Sequence, residues 1–174
     1  RNMFIIDRYD NKDKTFAKSY YEGMRIGDIW GFVTDGLFAT DEEAQEYANS
    51  VDLSYMVDGL TGGWKAGDIK FVDLDGDGEV SIGSNNVNDP GDRKILGNSL
   101  PSLSYGFTGS IRAYGFDASV FFQGTGNHYW YPDGHMMSFW GPYSYPYQTF
   151  LQKNFMDKVW TEHNTNEYFP RARA

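Results

Sequence analysis

Apolar and polar residues alternate along two neighbouring stretches in the middle of the chain. In residues 102–113, every odd position is apolar, aromatic or small, and every even position is polar or glycine. Residues 116–124 repeat the alternation except at Phe121, which falls on the polar face, and Tyr114 and Gly115 lie between the two stretches. Because successive side chains of a strand point to opposite faces, this pattern predicts two antiparallel strands joined by a two-residue turn.

The two-residue turn fixes which residues of the predicted strands face each other. It pairs Phe107 with Phe122 on an apolar face, and Arg112 with Asp117 on the opposite, polar face. Each favourable cross-strand pair contributes roughly 0.2–1 kcal/mol. The strand length fits the ~10 residues of a membrane strand. A hairpin of a soluble β-sandwich gives the same alternation, so periodicity alone leaves both kinds of protein open.

Shorter signals predict the remaining elements. Apolar and glycine-containing stretches indicate strands at about 2–9 and 24–33. Thr40 is the expected N-cap of a short helix, with Glu43 completing a capping box. A spacing of four between apolar residues predicts a second short helix over 149–160.

Two long segments lie outside the predicted strands, at about 34–100 and 125–174, and the first is strongly acidic. Residues 35–92 hold 14 acids and only two bases, Lys65 and Lys70. The whole chain has a formal charge of −9, which makes nucleic acid an unexpected partner. Aromatic residues make up 18% of the chain and favour β-structure. No apolar run approaches the roughly 20 residues of a membrane helix.

Acidic residues alternate between positions 73 and 79 in a pattern typical of a calcium-binding loop. Carboxylates at every second position surround one point, and Gly78 permits the sharp turn that follows. Ser84 stands where an EF-hand has its last glutamate, so Asp89 or Asp92 has to close the site. An acidic turn without an ion is the alternative. The predicted ligands of a structural calcium ion are Asp73, Asp75, Asp77, Glu79 through its carbonyl, and Asp92.

Other candidate chemistry is limited. Four aromatic residues in the second long segment are predicted to contact a substrate or partner by stacking, or to pack the segment itself: Tyr129, Trp130, Trp140 and Tyr143. The three histidines form no zinc motif, and neither a hydrolase serine motif nor a phosphate-binding loop is present. We therefore expect no catalytic residue, no organic cofactor and no enzyme activity, with a glycosidase domain as a remote rival.

Several segments together resemble the SusC/RagA-type TonB-dependent transporters. They follow one another in the family's order over most of the chain, which is more specific than any single motif. The segments are 21–32, 34–38, 67–78, 92–98, 105–107, 116–124, 160–162 and 168–171.

The resemblance implies an all-β membrane fold, in which the chain is part of a large antiparallel transmembrane β-barrel with long extracellular loops and short loop helices. It also implies location in the outer membrane of a Gram-negative bacterium and nutrient uptake of glycan or peptide oligomers. The implied partners are TonB, through parts of the protein absent here, and a SusD-like surface lipoprotein. We expect the chain to be a piece whose strands pair with further strands of the protein. The alternative is a secreted, calcium-stabilised carbohydrate-binding β-sandwich.

Overall fold

Most regular structure in the chain is β-strand, arranged in small antiparallel sheets. The computed structural model describes residues 3–57, 62–132, 143 and 151–172. The strands pair two by two, as β1 with β4, β2 with β3, and β5 with β6. One short α-helix, α1, accompanies them within these described ranges. The elements are β1 Asp28–Phe32, β2 Thr34–Leu37, α1 Asp41–Ser50, β3 Ile69–Phe71, β4 Arg93–Asn98, β5 Leu103–Ala113, β6 Phe116–Gly126 and a 3₁₀ turn, Met156–Lys158.

The predicted hairpin is present with the predicted register. The strands β5 and β6 pair antiparallel from Ala113 opposite Phe116 to Leu103 opposite Gly126 without interruption. Tyr114 and Gly115 both have positive φ, +52° and +82°. Two positive φ angles are the signature of a type I′ turn, whose twist matches that of the flanking strands. The turn chemistry and the face pattern therefore act together to fix this hairpin.

The predicted helix and its cap are also confirmed. The Thr40 hydroxyl oxygen accepts a hydrogen bond from the Glu43 amide at 3.1 Å, and the Glu43 carboxylate accepts from the Ala39 amide at 2.9 Å. Ala44 is fully buried, and the Tyr47 hydroxyl donates to the Phe71 carbonyl at 2.7 Å. These contacts hold α1 against the end of β3.

Two predicted strands are shorter in the structure than the sequence pattern indicated. Of the stretch predicted at about 2–9, the structure describes residues 3–9, and this part forms a single bridge, Ile5 to Arg25. The strand predicted at 24–33 is reduced to β1, because Gly27 has a φ of +89°, outside the range of extended backbone. The predicted loop of about 34–100 contains strands of its own, and its last strand, β4, pairs with β1.

The helix predicted over 149–160 is wrong for the part that the structure describes, 151–160. Only the 3₁₀ turn Met156–Lys158 is helical there, and residues 149 and 150 lie outside the described residues. Phe155 and Val159, the basis of that prediction, instead pack with Phe169 in an apolar cluster. Val159 also forms a parallel bridge with Phe169. The two apolar residues spaced by four therefore contact the same core cluster, although the backbone between them is not an α-helix.

The chain divides into two compact units. The first comprises Arg1–Trp30 and Ile95–Tyr131, and the second comprises Gly31–Lys94 and Pro132–Ala174. The second unit contains the cluster around Phe169. Within the residues that the structure describes, no helix has the length and apolar character to cross a bilayer.

Candidate metal centre

Three carboxylates of the acidic loop meet at one point in the second unit. Asp73 and Asp75 follow β3, and Asp92 lies directly before β4. One carboxylate oxygen from each lies within 4.8 Å of the others, so this cluster could hold a metal ion. Asp92 is only 1% exposed, whereas Asp75 is exposed. The group therefore has a buried side and an open side.

Backbone amides hold the carboxylates in place. Asp92 accepts from the Leu74 amide at 2.5 Å through one oxygen and from the Ser81 amide at 2.7 Å through the other. Asp73 accepts from the amides of Gly76 and Gly78 at 2.7 and 3.0 Å. An ionised carboxylate has about four acceptor positions. Each of these two carboxylates therefore keeps acceptor capacity for a cation.

The electrostatics of the cluster also suit a cation. The pKa of Asp75 is raised, first because the surrounding loop removes part of its hydration, and then because of the negative charges of Asp77, Asp92 and Asp73. Like charges at short range disfavour ionisation of one another. A bound divalent cation would reverse this effect and favour the ionised form. Carboxylate oxygens are the ligands that calcium and magnesium prefer.

The remaining predicted ligands have other positions. Asp77 lies outside the clustered group, and one of its carboxylate oxygens accepts from the Glu79 amide at 2.9 Å. The Glu79 backbone forms a parallel bridge with Asp52. Asp89 accepts from the Ser84 amide and hydroxyl, and these hydrogen bonds lower its pKa. Of the two acids that sequence reasoning offered to close the loop, the structure therefore brings Asp92 to the cluster.

No sequence pattern indicates which backbone amides organise this loop. Leu74 and Ser81 are unremarkable positions in the sequence, yet their amides define where the Asp92 carboxylate lies. The parallel bridge of Asp52 with Glu79 supports the loop from the segment after α1. Such contacts join residues far apart in sequence, and no local pattern signals them.

The predicted aromatic contacts fall into three groups. Tyr129 and Trp130 are exposed in the first unit, and the Tyr129 ring lies against Gly97. Trp140 lies outside the described residues. Tyr143 packs against Phe155 and Phe169, and its hydroxyl donates to the Pro170 carbonyl at 3.0 Å. Burial raises the pKa of Tyr143 to about 12.

Comparisons with known proteins give one informative similarity. The chain is 31% identical over 104 residues to the TonB-dependent receptor P3 of Formosa agariphila (strain DSM 15362 / KCTC 12365 / LMG 23005 / KMM 3901 / M-2Alg 35-1). The match covers 60% of this chain but only 9% of that protein's length. No family model and no solved structure matches the chain. The similarity is distant and partial, and it suggests a link to TonB-dependent receptors and thereby to transport at the outer membrane.

Proposed function

We propose that the chain is part of a TonB-dependent transporter of the SusC/RagA type, with β5 and β6 among the strands of its transmembrane barrel. The observation that carries the proposal is the hairpin, whose strands are 11 residues long and expose a continuous apolar face. A transmembrane strand requires about 9–11 residues. The similarity to a TonB-dependent receptor supports the coarser part of the proposal, a link to TonB-dependent transport.

The two faces of the hairpin differ in the environment that suits them. Phe107 and Ile111 are 61% and 68% exposed, and they lie opposite Phe122 and Ala118. Burying apolar surface is worth roughly 25 cal/mol per Å², so this face is stabilised by a lipid or protein cover. The other face includes an ion pair between Arg112 and Asp117. It suits the water-filled interior of a barrel.

The finer parts of the proposal rest on the resemblance. We infer that the transporter imports glycan or peptide oligomers, that a SusD-like surface lipoprotein covers its extracellular mouth, and that TonB supplies the energy. In this arrangement the long segments at about 34–100 and 125–174 lie on the extracellular side. The last strand of the first segment, β4, pairs with β1. The matched 104 residues span 9% of the length of that receptor. Substrate import, the lipoprotein partner and TonB coupling are therefore proposed for the whole protein, to which this chain would belong.

A cell-fractionation experiment tests the proposed location. The intact protein should sediment with the outer membrane and require detergent to remain monodisperse after extraction. Deletion of its gene should abolish growth on one class of oligomer. Recovery of the intact protein from the culture medium, soluble without detergent, would contradict the proposal and favour the calcium-stabilised carbohydrate-binding β-sandwich.

We further propose that the acidic cluster binds calcium in a structural role. Asp73, Asp75 and Asp92 provide three carboxylates, and Asp77 and the Glu79 carbonyl complete the site after a small adjustment of the loop. The pattern of acids at every second position supports calcium over magnesium, because calcium accepts more oxygen ligands in flexible geometry at 2.3–2.6 Å. A cation there would fix a loop that joins β3 to β4.

Calcium titration of the intact protein tests this proposal. Excess calcium should raise the midpoint of thermal unfolding of this region, with a stabilisation of about 2.7 kcal/mol when free calcium is 100 times Kd. Asp75→Asn should weaken calcium binding strongly, while Asp89→Asn, an acid of the same loop outside the cluster, serves as the matched control. Equal effects of both substitutions, or no calcium effect, would contradict the site.

A further inference from the structure

A cavity of about 530 Å³ lies in the second unit, away from the acidic cluster. One wall is formed by β2 and β3, and the other by residues 165–170. Specific ligand sites are typically concave, with volumes of roughly 300–1,000 Å³ and a few polar groups among apolar ones. We propose that this cavity is a binding subsite for an uncharged saccharide. The proposal rests on the proposed function and adds a location and a charge class for the substrate.

The two walls are held together by contacts at Gly67. The Arg171 amide donates to the Gly67 carbonyl at 2.8 Å, and the Arg171 guanidinium donates to the Ala66 carbonyl at 2.9 Å. The same guanidinium lies 5.4 Å from the ring centre of Trp160. Gly67 has a φ of +81° and lies so close to Trp160 that a Cβ atom would overlap the indole.

Gly67 also connects to the wall on the other side. Its amide donates to the Phe38 carbonyl at 2.8 Å, and the Phe38 amide donates to the Asp68 carbonyl at 2.9 Å. Phe38 directly follows β2 and is fully buried. Arg171, which follows the segment 165–170, and Phe38, which follows β2, are therefore both hydrogen-bonded to the backbone of residues 66–68.

An aromatic ring lines the cavity in a defined orientation. Tyr168 is 74% exposed, and its ring stands perpendicular to that of Phe169, with 5.2 Å between the ring centres. Phe169 is anchored in the apolar cluster with Phe155 and Val159. A rigid, amphipathic aromatic side chain presents a large contact surface at low entropic cost. The apolar C–H face of a sugar ring is a suitable partner for such a surface.

The polar lining matches a ligand rich in hydroxyl groups. Thr34, Thr165 and Asn166 contribute hydroxyl and carboxamide groups, which donate and accept hydrogen bonds. Among the residues that the structure describes, the cavity lining contains one acid, Glu167, and neither Lys nor Arg. With a chain charge of −9, an anionic saccharide or a peptide carboxylate would lack a counter-charge. These groups therefore favour a neutral saccharide over anionic glycans and acidic peptides.

Binding to an array of neutral and anionic glycans and short peptides tests the proposal, with the intact protein in detergent. We expect binding to a neutral glycan, and a roughly tenfold loss of affinity for Tyr168→Ala. Tyr168→Phe should keep most of the affinity because the ring face remains, and Asn166→Ala should weaken binding. Tyr114→Asn is the matched control, since Tyr114 is an exposed tyrosine in the hairpin turn.

Cysteine labelling tests whether the cavity is open in the intact protein. The 174 residues contain no cysteine, so Thr165→Cys gives a single label site once any cysteine elsewhere is removed. We expect a maleimide reagent to modify it, and the neutral glycan found on the array to slow the reaction. An unreactive thiol in the folded protein would show that another segment fills the cavity, and would overturn the proposal.

The outcomes separate this inference from the proposed function. Outer-membrane location together with no binding of any neutral glycan, or with binding insensitive to Tyr168→Ala, overturns the subsite and leaves the transporter proposal standing. If the protein is instead recovered from the culture medium, soluble without detergent, and binds a glycan through Tyr168, the subsite is supported and the transporter proposal is contradicted. Preferential binding of peptides or anionic glycans overturns the charge argument.

Discussion

The hairpin β5–β6 and the acidic segment 34–94 obtain their structure by different means. The hairpin has 11 consecutive cross-strand pairs, and its large apolar side chains are exposed. In the acidic segment, β2 and β3 have four and three residues, and their register is irregular. There, carboxylates such as those of Asp73 and Asp92 accept from backbone amides.

This difference shows which interactions organise each region. The hairpin backbone is regular because turn, register and face pattern agree, but its large apolar side chains are exposed, and in the proposed barrel lipid covers them. The acidic segment buries Phe38 and Val80 and uses side-chain acceptors for backbone amides that lie outside its short paired strands. A substitution on the apolar face of the hairpin should therefore change stability through its contact with lipid. A substitution in the acidic segment should change stability through the loss of buried hydrogen bonds.

The largest effect is expected on the apolar face of the hairpin. Phe107→Arg in the intact protein should destabilise it by roughly 2–4 kcal/mol if Phe107 lies near the bilayer midplane. Thr108→Arg, one position along on the opposite face, should cost much less because in the proposed barrel its side chain faces the aqueous interior. The measurement is reversible unfolding of the protein in lipid vesicles. Equal tolerance of arginine at both positions would contradict the membrane-facing register.

A smaller effect is expected at Asp92, through a buried hydrogen-bond acceptor. Asp92→Asn replaces one accepting oxygen by an NH₂ group facing the amide of Leu74 or Ser81. A buried donor without an acceptor costs roughly 1–3 kcal/mol. Hydrogen exchange at these two amides should accelerate correspondingly, measured with chelator present so that no metal contributes.

Asp89→Asn provides the comparison for Asp92. Asp89 accepts from the Ser84 amide and hydroxyl at an exposed position. Water can replace a lost partner there, so exchange in the loop should change little. If Asp89→Asn accelerated exchange as much as Asp92→Asn, burial would not explain the role of Asp92.

The same contrast explains what the sequence could predict. The hairpin followed from local rules, because a two-residue turn fixes every pair from Ala113–Phe116 outward. The strand predicted around Ile5 is reduced to a bridge with Arg25. Apolar residues alone do not determine how far the chain at these two positions runs side by side. In the acidic loop, the spacing of the acids indicated Asp73 and Asp75 and left Asp89 or Asp92 to close the site, and only the folded backbone places Asp92, 17 residues after Asp75, in the cluster.

The cavity lay beyond any sequence pattern. One wall comes from β2 and β3, and the other comes from residues 165–170, about 100 residues later in the chain. The Tyr168-to-Arg171 segment was recognised as a family resemblance, without a structural role. Its position depends on the close approach of Gly67 to Trp160, a contact that requires the folded backbone.

A moderate effect is expected at the N-cap of α1. Thr40→Ala removes the hydroxyl that accepts from the Glu43 amide and should destabilise the helix by about 1 kcal/mol. Hydrogen exchange of the first-turn amides is the measurement. Thr40→Ser is the matched control, because serine retains the oxygen, and its exchange should remain close to that of the parent protein. An equal loss in both variants would show that the Thr40 methyl group, and not the cap, is important.

The smallest effect is expected for the ion pair between Lys70 and Glu43, whose nitrogen and oxygen are 2.8 Å apart. The side chains are 23% and 39% exposed, so solvent weakens the attraction, and a coupling of about 0.5 kcal/mol is expected. The Lys70 hydrogen bond, followed by that of the Ala39 amide, lowers the pKa of Glu43, while the Glu43 hydrogen bond raises the pKa of Lys70.

The pKa directions define the pH range in which this pair contributes. Since the pKa of Glu43 is lowered in the folded state, its stabilisation is complete above the unfolded value of about 4.3 and is lost as pH falls through the folded value. Since the pKa of Lys70 is raised, its stabilisation is complete below about 10.4 and is lost as pH rises through the folded value. A double-mutant cycle with Glu43→Gln and Lys70→Met isolates the pair, because glutamine still accepts from the Ala39 amide. Hydrogen exchange of α1 should show the coupling near neutral pH, and its persistence well below the Glu43 pKa would exclude charge as its origin.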